Sequence, residues 1–165
     1  MKKSNLLEGK RILIVDDEED VLETLGELLS MCKVAKAATF EKGKELLESE
    51  YFDMAILDIM GVDGYGLLEI AKRRKVIPVM LTAHAVSREN LIKSYKEGAA
   101  LYVPKDKMTD IQLFLNDILD AQEKGKSTWW RWYDRFSSYF ERRFGSGWQD
   151  QDKEFWDRFD GFHMK

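Results

Sequence analysis

Five short apolar runs, each set off from the next by a helix-length stretch, constrain this chain more than any other feature. They read RILIV at 11–15, a weaker KVAKAA at 33–38, MAIL at 54–57, VIPVML at 76–81 and ALYV at 100–103. Strands that are apolar throughout are buried on both faces, and strands that alternate with helices pair in parallel. The intervening segments carry the helical half of that pattern. Residues 18–32 place Val21, Leu22, Leu25, Leu28, Leu29 and Cys32 at helical spacing. Thr39 suits the N-cap of a helix bearing Leu46 and Leu47, and GVDGYG leads into one with Leu67, Leu68 and Ile70. A further helix is expected from Ser87 to Glu97, stopped by Gly98, and another over Lys107–Lys124.

The predicted fold class is therefore α/β, a doubly wound five-stranded parallel sheet in a flavodoxin-like arrangement, with a C-terminal helical extension. Ligands of such sheets sit at the carboxyl ends of the strands, where the strand order reverses. Those ends carry Asp16 and Asp17 (with Glu18, Glu19 and Asp20 beyond), Asp58, Thr82 and Lys105. Three clustered carboxylates repel one another and call for a cation. Hard oxygen ligands favour Mg²⁺, which keeps several waters and accepts a phosphate oxygen. A carboxylate beside such an ion can attack a phosphoryl group and form an acyl phosphate. The metal and Lys105 would neutralise the transferring group, and Thr82 could donate to it. Taken singly, these residues have plainer readings. Acidic residues after a strand often cap the next helix, and a lone Thr or Lys there is usually surface.

The stretches ILIVDDEEDV, DMAILDIMG, VMLTAHA and LYVPKD resemble the receiver domain of bacterial two-component response regulators, over roughly residues 10–124. The resemblance implies that Asp58 is the phosphoacceptor, served by a sensor histidine kinase or a phosphotransfer protein. It implies that Asp16, Asp17, Asp58 and the Met60 backbone carbonyl hold Mg²⁺, that Thr82 is the switch hydroxyl and that Lys105 binds phosphate. Tyr102 matches the family's switch aromatic; a buried strand tyrosine is the plain alternative. Departures are visible. Pro104 precedes the lysine and Asp106 follows it, where the family usually has Lys–Pro. The loop after Asp58 reads short, with Gly61 in it. Met60 and His84 occupy positions that influence phosphoryl lifetime in relatives, and Met60 predicts slow self-hydrolysis.

After Gly125 the composition changes. All five tryptophans lie beyond it. Trp129, Trp132, Tyr133, Phe136, Tyr139, Phe140 and Phe144 follow three- and four-residue steps, with Ser127 or Thr128 to cap the start and GSG at 145–147 to end the helix. Phe155, Trp156, Phe159 and Phe162 repeat the spacing in an acidic second segment, so a helical hairpin is expected. The division read is a phosphoacceptor domain over 1–125 and an aromatic-rich amphipathic extension over 126–165. That extension is expected to pack on the domain, pair two copies or dock a downstream protein. A net charge of −4 gives no general argument for nucleic-acid binding, and the acidic second segment disfavours membrane contact. One cysteine, no signal peptide and no apolar run of membrane-spanning length point to a cytoplasmic protein. Two other functions fit the same residues: an Asp-nucleophile, metal-dependent phosphohydrolase, or a structural adaptor with a vestigial site.

Overall fold

A computed structural model describes residues 5–83, 87–126 and 128–145, leaving aside the side chains of 130, 131, 133, 134, 143 and 144. Five strands, β1 (Arg11–Val15), β2 (Lys33–Ala37), β3 (Met54–Asp58), β4 (Ile77–Thr82) and β5 (Leu101–Pro104), form one parallel sheet in the order β2-β1-β3-β4-β5. β3 is buried along its whole length, as its unbroken apolar run requires.

The connections are α1 (Glu19–Leu28), α2 (Phe40–Ser49), α3 (Gly64–Arg73), α4 (Arg88–Lys96) and α5 (Ile111–Glu123). From β1 the chain crosses outward to β2, then turns back over β1 to β3 and onward to β5. Right-handed crossovers therefore place α1 on one face and α2, α3 and α4 on the other. α1 packs with α5, and α2 with α3. The order reverses between β1 and β3, so the ligand-binding crevice is expected above Val15 and Asp58.

Thr39 caps α2 by accepting from the Lys42 amide, and Ser87 caps α4 by accepting from Asn90. Gly98, at φ +94°, ends the α4 turn in a backbone conformation open mainly to glycine. One boundary differs from expectation. The segment read as the start of a helix at Lys107 is a 3-10 turn over Lys105–Asp110, and α5 begins only at Ile111. KDKMTD buries no residue, so packing does not hold it in α-helical form.

Beyond α5 runs α6 (Trp129–Phe144), the first part of the aromatic extension. Thr128 occupies its N-cap position in helical geometry and makes no side-chain capping bond, and Gly145 at φ +89° closes the helix. Ser127 and the expected second helix lie outside the described residues. Trp129, Trp132, Phe136 and Phe140 are buried in the same apolar cluster as the sheet. They cover β5, an edge strand of the sheet among the described residues. The indole of Trp129 donates to the Ala99 carbonyl at 2.9 Å and that of Trp132 to the Tyr102 carbonyl at 2.8 Å. On the flank of α6, Arg135 grips the buried Asp117 of α5 through two bonds of 2.6 and 3.2 Å.

Candidate functional site

Strand register alone brings the strand-end residues together. Val15 pairs with Leu57, so Asp16 follows β1 beside Asp58 on β3. Asp58 pairs with Leu81, which places Thr82 one residue further along β4, and Thr82 pairs with Pro104, which places Lys105 one residue past β5. Asp17, Glu18, Asp58, Met60, Gly61, Thr82, Ala83 and Lys105 line an open cavity of about 360 Å³ at this end of the sheet.

Asp16 is fully buried beside the cavity, and Asp17 and Glu18 are exposed. Asp16 Oδ1 accepts from the Glu18 amide at 2.9 Å, turning the chain into α1. Its Oδ2 stands 2.9 Å from Lys105 Nζ, an ion pair by distance, yet no donor among the described residues is aligned on that buried oxygen. Lys105 also meets Glu18 at 3.0 Å and Asp58 at 3.6 Å. Burial would lower the Lys105 pKa, but its close pairing with Asp16 and Glu18 overrides this and holds it above the ordinary value. Burial raises Asp16, with Lys105 opposing. Burial, and then the negative charge of Asp16, push Asp58 up to about 6.

Asp16, Asp17 and Glu18 can each aim one carboxylate oxygen so that all three lie within 4.8 Å of one another. Together with the unaligned Asp16 oxygen, this hard-oxygen set suits a small divalent cation. Gly61 keeps the space open. A Cβ there would collide with the Asp17 carboxylate and come within 2.5 Å of Asp58 Oδ2, while the Gly61 amide donates to that same oxygen at 3.2 Å.

Thr82 is buried at the cavity wall, and Met60 stands at its rim, 70 % exposed. Tyr102 is not among the lining residues. It is fully buried, its hydroxyl accepts from the Ser87 amide at 3.4 Å, and its ring lies 6.0 Å from that of Phe140. His84 lies outside the described residues. Two residues of the site are not legible from the sequence. Glu18 sits in an acidic run suited to helix capping, and nothing in its spacing announces a bond to a lysine 87 positions away. Gly61 marks only a short loop in the sequence; in the structure it lets that loop pass against two carboxylates.

A family model described as the response regulator receiver domain matches residues 12–115. Over 103 residues the chain is 37% identical to the two-component response regulator ARR18 of Arabidopsis thaliana, an alignment covering 59% of this chain and 16% of that protein. It is 33% identical over 99 residues to the transcriptional activator protein PfeR of Pseudomonas aeruginosa, covering 58% of this chain and 32% of PfeR. The chain thus spans a third or less of these curated relatives. Among solved structures, a CheY-like receiver domain protein from Methanospirillum hungatei aligns with a TM-score of 0.65 at 36% identity, over 71% of this chain and 98% of that one.

Proposed function

The chain belongs to the response regulator receiver family, a phosphoacceptor switch rather than a classical enzyme, and on that premise we propose that Asp58 accepts a phosphoryl group. Receiver domains partner with histidine kinases, and the donor here is taken to be a kinase or phosphotransfer phosphohistidine. The observation that carries the reading is the placement of Asp58. It ends the central strand in an open cavity, with Lys105 Nζ 3.6 Å away and the Asp16–Asp17 acids alongside.

A carboxylate oxygen of Asp58 forms the new P–O bond as the P–N bond of the phosphohistidine breaks, and the released imidazole takes up a proton. Asp16, Asp17 and the Met60 carbonyl would hold Mg²⁺ with Asp58; when bound, the ion screens the carboxylates and draws charge from the transferring oxygens. Lys105 exchanges its contact with Glu18 for the incoming oxygens, and the buried Thr82 hydroxyl donates to one of them. The product adds about −1.5 to −2 charges to a site already rich in acid, so Lys105 and Thr82 are pulled inward. Tyr102 is assigned to the switch on its position beside the α4 N-cap.

Division into a receiver over 1–125 and an extension over 126–165, cytoplasmic location and output through protein contacts rather than nucleic acid belong to the same proposal. The free Cys32 and the docked aromatic helix support them. The test is incubation with acetyl phosphate and Mg²⁺, read by intact mass. One phosphoryl adduct is expected in the native chain and none in Asp58→Asn. Catalytic turnover of a phosphomonoester without an adduct would instead favour a phosphohydrolase.

A further inference from the structure

Lys105 is the cation of the site, and the residues on both sides of it in sequence are held by α6. Tyr139 donates its hydroxyl to Asp106 Oδ2 at 3.2 Å, immediately after the lysine. Lys107 Nζ sits 5.7 Å from the Tyr139 ring centre. Three residues before the lysine, Tyr102 gives its carbonyl to the Trp132 indole and its ring to Phe140. The hydroxyl of the same Tyr102 takes the amide at the start of α4. The backbone from Tyr102 to Lys107 is thereby clasped on its outer side by α6, while on its inner side Lys105 is held by Asp16 and Glu18.

We propose that α6 is a strap whose docking on β5 is coupled to phosphoryl occupancy of Asp58, with Tyr139 and Trp132 acting as positioning residues for Lys105. This rests on the phosphoacceptor reading above. The contacts of α6 fit a strand end whose lysine lies closer to Asp16 and Glu18 than to Asp58. Drawing Lys105 toward a phosphoryl group on Asp58 moves Asp106 and the Tyr102 carbonyl with it and strains the bonds to Tyr139 and Trp132. Phosphorylation therefore loosens α6. By reciprocity of coupled equilibria, loosening α6 favours phosphorylation by the same factor. Release would bare the edge of β5 and the Phe114 ring that now packs 5.0 Å from Phe136.

The sequence supplies its own reporter, since every tryptophan lies in the extension. The full chain is treated with acetyl phosphate and Mg²⁺ while adduct formation is followed by mass and tryptophan emission by fluorescence and acrylamide quenching. Expected is a red shift and stronger quenching that track the adduct and are absent in Asp58→Asn. Tyr139→Phe, which loses only the hydroxyl on Asp106, should raise the equilibrium adduct fraction, with the apparent constant about 5-fold larger, the low end of ordinary coupling between sites. Trp132→Phe, which keeps an aromatic ring but loses the donor to Tyr102, should act in the same direction. Adduct formation with unchanged emission and quenching, or both variants phosphorylating as the native chain does, would overturn the strap and leave the phosphoacceptor intact. Failure of the native chain to form an adduct would remove the phosphoacceptor itself, and the strap with it. The same emission change in Asp58→Asn would show that the donor or Mg²⁺ acts on α6 directly, and would overturn the coupling.

Discussion

Asp58 is held at an energetic disadvantage that the rest of the site must relieve. Burial and the adjacent Asp16 raise its pKa from 3.8 to about 6. A carboxyl that stays protonated longer in the folded chain than in the unfolded one favours folding at low pH. Metal-free stability should therefore fall as pH rises from about 4 to about 6, by up to about 3 kcal/mol from this group. Asp58→Asn should flatten most of that slope and raise the melting temperature at neutral pH by several degrees. Chemical denaturation of the metal-free protein across pH 4–7 checks this, and an unchanged slope in the variant would place the strain elsewhere. Adding Mg²⁺ should reverse the trend, because the ion binds only the ionised folded site. Gly61 gives a sharper test of the cavity. In Gly61→Ala the new methyl meets the Asp17 and Asp58 carboxylates, so Mg²⁺ affinity by titration calorimetry should drop at least about 10-fold, comparable to losing a supporting contact at a metal site. The residues at the four strand ends were legible from the sequence because an apolar run marks where each strand stops, and alternation with helices marks the sheet as parallel. The clearance supplied by Gly61 was not, since it depends on how closely one loop passes another.

Among the elements, α6 depends most on what it meets. Its periodicity marks an apolar stripe, but a stripe does not say which surface receives it. The receiving surface is the free edge of β5 with α5 beside it, and the fit is polar as well as apolar. Two indoles supply donors to the β5 side of the sheet, and Arg135 pairs with Asp117, an acid that α5 buries. The 3-10 turn after β5 is illegible for the opposite reason: its residues are helix-compatible, yet none is buried and Met108 only leans on the core. Arg135→Ala should lower stability by roughly 2 kcal/mol, since it removes two charge-assisted bonds from a buried carboxylate. Asp117→Asn in the Arg135→Ala background should recover part of the loss by removing the charge that the arginine had served. Urea unfolding of the two variants measures both, and a loss within about 0.5 kcal/mol in the first would reduce the pair to a surface contact.

At the scale of the whole molecule, the sheet sets the acidic cavity and the aromatic helix on different boundaries. The reversal of strand order puts the acids and the lysine over the middle of the sheet, where β1 and β3 adjoin. The aromatic extension closes the far edge, and β5 is the strand common to both: its end carries Lys105 and its outer side carries α6. Removing residues 127–165 should consequently separate the two. The cavity is built wholly from residues before that cut, so Asp58 should still form its adduct with acetyl phosphate. The Ala99 and Tyr102 carbonyls would lose their indole donors, and the rings of Tyr102 and Phe114 would lose their cover. An edge strand left open beside apolar rings invites pairing with a second chain. Sedimentation should show the shortened protein associating as its concentration rises into the micromolar range, a typical affinity for a modest interface. A shortened protein that stays monomeric at those concentrations and unfolds at the same urea concentration as the full chain would mean that the β5 edge needs no cover.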